Sequence, residues 1–232
     1  VASLTDLDDA ERRVLGAVDA AFREYLGLVK DQVFGDPSRP DLVRWPAGVW
    51  PLLMQAHVVP VVRQVFEDVA RSEGVEDPVG ASATFVAGLQ DVVENEHIPR
   101  RVLEEFSNLL ESPGYVASPA AGVAALLAAG SVVWVGMLTV AAVNVASEAV
   151  NSATYAAAAD RRRRDPRATV VKRWLARHDD RTRPSHKAAD GEEVPVDTAF
   201  TVGGFPLRFP HDPFGPPQEV INCRCRLSFG AQ

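Results

Sequence analysis

Behind Trp174 the chain runs Asp180-Arg181-Thr182-Arg183-Pro184-Ser185-His186, then Asp190-Gly191, Phe209-Pro210-His211-Asp212-Pro213 and Ile221-Asn222-Cys223-Arg224-Cys225. Both cysteines sit here beside His186 and His211, so thiol or metal chemistry has to pass through this stretch. Its texture is prolines, glycines and short β-prone runs at 193–196, 200–202, 207–209 and 225–229, which predicts a small, loop-rich α+β unit. Just upstream, residues 168–178 place Val171, Trp174 and Leu175 on one helical face, so a helix is expected there.

The order Trp, Asp-x-Arg-Thr-Arg-x-x-His, Asp-Gly, Phe-Pro-x-Asp-Pro, Asn-Cys-Arg-Cys resembles the C-terminal domain of phage Mu F-like minor head proteins, a family of virion and head-morphogenesis proteins. Five spaced elements in sequence are far more specific than one short motif. Members of that family usually carry Arg-Thr-Glu on an upstream helix; here Ala146-Ser147-Glu148 keeps the Glu and lacks the Arg. The resemblance implies a non-enzymatic minor capsid protein, in the virion near the portal and inside the capsid, and in the host cytoplasm during assembly. Its implied partners are the portal protein and the major capsid protein, and its implied work is head assembly and genome packaging or delivery.

Outward from this stretch the chain is expected to be helical, giving a mainly α protein with domains at 1–165 and 166–232. Thr5 with Asp8 resembles a capping box. Leu7, Val14, Leu15, Val18, Phe22, Tyr25, Leu26, Val29 and Val33 then follow helical spacing until Gly35-Asp36-Pro37 and Pro40. A second helix is predicted over 50–72, with Pro51 in its first turn and a kink at Pro60. Two shorter ones follow over 81–95 and 99–110, then a loop at Ser112-Pro113-Gly114.

No charge occurs between Glu111 and Glu148, and the helix expected from Pro119 is apolar on every face, as in a bundle core or a membrane. Its length suffices for a bilayer. Its many Ala and Gly residues, with Ser131, Thr139 and Asn144, favour a bundle spine instead. Continued to Arg164, it would span about 65 Å. A secretion signal is not expected, because no charged stretch followed by a short apolar core stands at the start of the sequence.

With 47% hydrophobic and 24% charged residues, the 232-residue chain is in the globular range. Two cysteines set two apart are not a disulfide framework, because a bridge between such near neighbours is strained. The net charge of −7 conceals an asymmetry: residues 161–187 hold eleven Lys/Arg against three Asp, which leaves the remainder at −15. Arg161, Arg162, Arg163, Arg164, Arg167, Lys172, Arg173 and Arg177 therefore form a candidate contact for double-stranded DNA phosphates or an acidic portal surface. The blander reading is a helix end favoured by the dipole.

Cys223 and Cys225 on an extended strand point the same way, and with His186 and His211, or an Asp, they suit a structural zinc ion. Zinc contributes about 10–16 kcal/mol to folding of finger-like peptides, which would help so small a unit. Without metal, the thiols pack as small hydrophobes, and Phe200, Phe205, Phe209, Phe214, Val220, Ile221 and Leu227 dock on Trp174. Asp179, Asp180, Arg181 and Arg183 suggest a structural charge network of forked arginine–carboxylate pairs. Asp180 orienting His186 is the acid/base alternative, but Ser185 beside His186 makes no triad by sequence alone. Two further functions stay open at this level: an ejected virion protein that inserts the uncharged segment into a membrane, and a metal-dependent enzyme or toxin on a head-protein scaffold.

Overall fold

The computed structural model describes residues 4–35, 48–94, 97–110 and 119–231. The predicted breaks at Asp36-Pro37 and Pro40 and the loop at Ser112-Pro113-Gly114 lie outside them. Helix α1 (Leu4–Gly35) buries Val14, Val18, Phe22 and Tyr25, as the spacing requires. Thr5 falls inside its first turn.

The helix predicted over 50–72 is three segments: α2 (Val49–Leu53), a π-helical turn (Met54–Val58) and α3 (Val59–Ser72). Pro60 has no N–H to donate and its ring crowds the carbonyl four residues back. The wider turn just before it relieves that crowding, with the Val59 N–H bonding the Met54 carbonyl five residues back. Then come α4 (Pro78–Ala87), capped by Asp77 on the Gly80 N–H at 2.9 Å, α5 (Gln90–Glu94) and α6 (His97–Leu110).

Helix α7 (Pro119–Arg164) has 46 residues, about 69 Å at the standard rise. The expectation of a helix apolar on every face does not hold. Val135 and Val140 are exposed, and the C-terminal part buries Asn151, Thr154 and Asp160. Among the described residues no helix is long and apolar enough to cross a membrane.

Beyond α7 the helix expected over 168–178 is instead strand β1 (Val170–Leu175). β-branched Val170 and Val171 and the aromatic Trp174 suit a pleated surface, and pairing on both sides outweighs the helical pattern. The consequence is a change of face: with period two, Lys172 joins Val170 and Trp174 on the buried side. After α8 (Pro184–Ala189), β2 (Glu193–Pro195) pairs antiparallel with β1. The hairpin of β3 (Phe200–Val202) and β4 (Phe205–Leu207) follows, then α9 (Pro217–Val220) and β5 (Arg226–Ala231). One antiparallel sheet has the order β2-β1-β5, with Lys172 opposite Val194 and Phe229; the other is β3-β4. Gly203 and Gly204, both at positive φ (60° and 84°), make the two-residue turn between β3 and β4.

The protein is mainly helical with a small antiparallel C-terminal region. The chain forms two compact units, one of Val1–Val14, Pro60–Gly88 and Ala142–Gln232, the other of Leu15–Val59 and Leu89–Ala141. A boundary drawn near Asp165 thus falls within the first unit. In the second unit Phe22 meets Trp134 edge-on at 5.6 Å, Tyr25 meets Trp50 at 5.9 Å, and His57 bonds Glu24 at 2.8 Å. In the first, Phe66 stacks on Phe85, and the C-terminal core gathers around fully buried Trp174.

Candidate metal centre

Trp174 sets the floor of the site. Strand β1 points its ring inward, where it meets the His186 ring edge-on at 5.4 Å and Phe200 at 5.5 Å. Phe209, Val220 and Leu227 complete this core as expected, whereas Phe205, Phe214 and Ile221 are exposed. Asp190-Gly191 closes the β1–β2 connection. The Asp190 carboxylate accepts from the Ala176 N–H at 2.7 Å, and Gly191, at φ 78°, donates its N–H to the Trp174 carbonyl.

Pro184 starts α8 at its first position, and this short helix carries His186 into the core. His186 Nδ1 lies 3.3 Å from Cys225 Sγ and 3.6 Å from Cys223 Sγ. All three donor atoms lie within 4.8 Å of one another and all three residues are buried. On the ring's other side Nε2 is 3.0 Å from the Glu219 carboxylate, which also accepts from the Ser185 hydroxyl at 2.8 Å. Glu219 sits on α9, four residues before Cys223, and its buried seat depends on Gly203: a Cβ at that glycine would lie 2.4 Å from Glu219 Oε1.

The two thiols are electrostatically unequal. A hydrogen bond from Cys225 holds the Cys223 thiol below its usual pKa against the opposing effect of burial, helped by the Cys225 and His211 backbone N–H groups. The same bond, with burial, drives Cys225 upward. Of the two, Cys223 is the thiol that gives up its proton more readily.

His211 does not join this group. Its Nε2 faces Asn144 Oδ1 on α7 at 3.2 Å, and its backbone has φ 65°. Burial depresses its pKa to about 4, so the ring is neutral. The four-residue ligand set expected from sequence thus reduces to His186, Cys223 and Cys225, because His211 is turned to a different helix.

Two asparagines on one face of α7 hold the cysteine segment. Asn144 accepts from the Asn222 N–H at 2.6 Å. Asn151, seven residues on, gives its amide N–H to the Cys225 carbonyl at 3.1 Å and accepts from the Leu227 N–H at 2.8 Å. It thereby acts as a substitute backbone partner for the start of β5. Sequence reasoning passed over Asn151 and Glu219. The available signal was two Asn at i and i+7 in a largely apolar helix, and a lone acid in a short segment leading into the cysteines.

The charge network also differs from expectation. Asp179 makes a turn, accepting from the Arg181 N–H at 3.1 Å and the Thr182 hydroxyl at 2.8 Å, and Arg183 bonds the Ile221 carbonyl. Burial opposes ionisation of Asp179, but those bonds and Arg177 keep its pKa below the usual value. Asp180 and the Arg181 side chain take no part in a forked pair; Asp180 is not beside His186, whose carboxylate partner is Glu219. The forks are elsewhere. Arg208 grips Asp212 at 2.9 and 2.6 Å, and Arg224 grips Glu11 of α1, with Nε 2.7 Å from Oε1. The Asp212 carboxyl is also pulled below its usual range, burial notwithstanding, by the Arg208 side chain and by the Arg208 and Phe214 N–H groups.

The basic segment divides. Arg163 and Arg164 pair with Asp160 at 2.9 and 3.0 Å, Arg162 reaches the Pro166 carbonyl, Arg173 pairs with Glu193 at 3.0 Å, and Arg177 lies 3.8 Å from Glu11 and from Asp179. Arg161 and Arg167 are exposed. Lys172 is no surface contact: fully buried, it donates to the Arg208 carbonyl at 2.7 Å and lies 5.1 Å from the Tyr155 and Phe200 rings. Burial lowers its pKa to about 8.

The geometry defines a small antiparallel α+β domain whose motif residues clamp one another and the end of a long helix. Residues 134–228, about two fifths of the chain, match the family described as Phage Mu protein F like protein. A 56-residue stretch, 24% of the chain, is 45% identical to part of the NAD(+)–arginine ADP-ribosyltransferase EFV of Enterococcus faecalis. The chain covers 11% of that relative's length. No solved structure matches the chain.

Proposed function

We propose that this is a non-enzymatic minor head protein of a phage, associated with the portal and the capsid interior, acting in head assembly and in genome packaging or delivery. The observation that carries this reading is the Mu F-like match over residues 134–228. Support comes from the use of its motif residues: Trp174, Asp190, Asp212 and Arg224 each hold the chain to itself. In this reading the domain is a rigid attachment unit, and the exposed arginines near the end of α7 meet an acidic portal surface or packaged DNA. Mass spectrometry of purified particles and of portal-containing assembly intermediates is the test. The chain is expected in both at few copies, and its absence from every fraction overturns the proposal.

The likeness to part of an ADP-ribosyltransferase favours a second reading, in which the shared segment belongs to a larger enzyme or toxin carried on a head-protein scaffold. That activity is the named function of the relative, and the shared part is a tenth of it. Incubating this chain with labelled NAD+ and arginine-rich acceptor proteins separates the two. No label transfer is expected from the head protein; transfer would establish the second reading.

A further inference from the structure

We infer that His186, Cys223 and Cys225 bind one zinc ion, with Glu219 as the residue that positions His186 for it. This goes beyond the head-protein reading and does not rest on it. Two thiolates and an imidazole are donors that zinc accepts in tetrahedral geometry. With Zn–S near 2.3 Å and Zn–N near 2.0 Å, a tetrahedral site sets nitrogen and sulfur about 3.6 Å apart. The separations from His186 Nδ1, 3.6 Å to Cys223 and 3.3 Å to Cys225, are already close to that edge length.

The second observation is the carboxylate behind the imidazole. A metal-ligating histidine usually donates its other ring N–H to a carboxylate, which fixes the tautomer and raises the basicity of the ligating nitrogen. Glu219 occupies that place 3.0 Å from Nε2, leaving the Nδ1 lone pair directed at the two sulfurs. Ser185 holds the carboxylate, and the missing Cβ of Gly203 makes room for it. A thiol–imidazole cluster serving only as core has no need of a buried carboxyl group on the far side of the ring, since burying a polar group is costly. The ion would tie α8 to the Asn222–Cys225 turn, and through Asn144 and Asn151 to α7.

The test uses the full chain. Zinc content measured by mass spectrometry on protein purified without chelators is expected at about one per chain. Cobalt added to the apoprotein is expected to give tetrahedral visible bands and a thiolate charge-transfer band that is roughly halved in Cys223→Ser and in Cys225→Ser. Glu219→Ala is expected to weaken zinc binding about 10–100-fold in competition with a chromophoric chelator, with partial recovery in Glu219→Gln. Folded wild-type chain that takes neither zinc nor tetrahedral cobalt overturns the site. Unchanged zinc affinity in folded Glu219→Ala overturns the role of Glu219. Should the cysteine variants not fold, the wild-type metal titration still decides.

Discussion

The Cys223–Cys225 pocket and the arginine segment at the end of α7 are both concentrations of polar side chains, and the fold treats them in opposite ways. In the pocket every donor faces another at hydrogen-bond range and is closed off from water. In the segment, Arg163 and Arg173 are at least half exposed and each makes a single pair, to Asp160 and Glu193. Burial makes partners obligatory, because an unmatched buried polar group costs far more than a matched one gains. Exposure makes them optional, because water solvates whatever is left. The pocket should accordingly be rigid and intolerant of change, and the segment tolerant and salt-sensitive.

The hardest blow to the pocket is Trp174→Ala. The ring is fully buried and touches both His186 and Phe200, so its loss should cost about 4 kcal/mol in urea denaturation. A loss below about 1 kcal/mol would show that the core is not centred there.

Next in size is Asn151→Ala. It leaves the Cys225 carbonyl and the Leu227 N–H without their side-chain partner in a dry setting, at about 3 kcal/mol. Amide exchange at Leu227 should accelerate in proportion, and unchanged protection would remove Asn151 from the set of clamps.

These two residues also mark what was legible in the sequence. Trp174, His186, Cys223 and Cys225 stood out because few residue types do their chemistry and their spacing was specific, and the structure brings all four together. The helices were legible where apolar residues repeat with helical period, as in α1. Val170–Leu175 was misread because six residues satisfy both periods, and only pairing with β2 and β5, distant in sequence, selects the strand. Lys172 followed that error, since changing the period moved it from surface to core. Asn151 and Glu219 could not be given roles for a related reason: each acts on a group dozens of residues away in the chain, or on a ring that only the fold turns towards it. His211 had the right chemistry and the wrong direction.

A third test sharpens the contrast through pH. Burial first, and then the nearby Asp212 charge, raise the Glu148 pKa to about 7 from an unfolded 4.5, so the folded state holds a proton that the unfolded chain loses. Its contribution is present below pH 4.5 and is lost as pH rises through 7. Lys172 runs the other way. Its folded pKa is about 8 against 10.5, so stability returns as pH climbs from 8 towards 10.5. Together they predict a stability minimum between about pH 7 and 8. Glu148→Gln should raise stability by about 1–2 kcal/mol at pH 8 and leave it unchanged at pH 4. Equal effects at both pH values would mean that the carboxylate is not strained by its surroundings.

The smallest effect on stability belongs to the arginines. Replacing Arg161, Arg162, Arg163 and Arg164 together by Ala removes two pairs to the mostly buried Asp160, one weak approach to Asp197, and the bonds of Arg162 and Arg164 to the Pro166 and Gly74 carbonyls, all made by arginines that are themselves well exposed. Exposed pairs contribute about 0–1 kcal/mol each, so the loss should be under about 1.5 kcal/mol in total and should shrink as salt is raised. Asp160 limits how far the loss can fall, because its side chain is only 11% exposed and would be left without its two cations. Replacing Asp160 by Asn in the same background should therefore recover part of what the four alanines cost. Binding responds differently: four fewer cations should flatten the salt dependence of any association with duplex DNA by about four in log–log slope. A large stability loss with an unchanged slope would invert the assignment, making the arginine segment a structural clamp like the pocket.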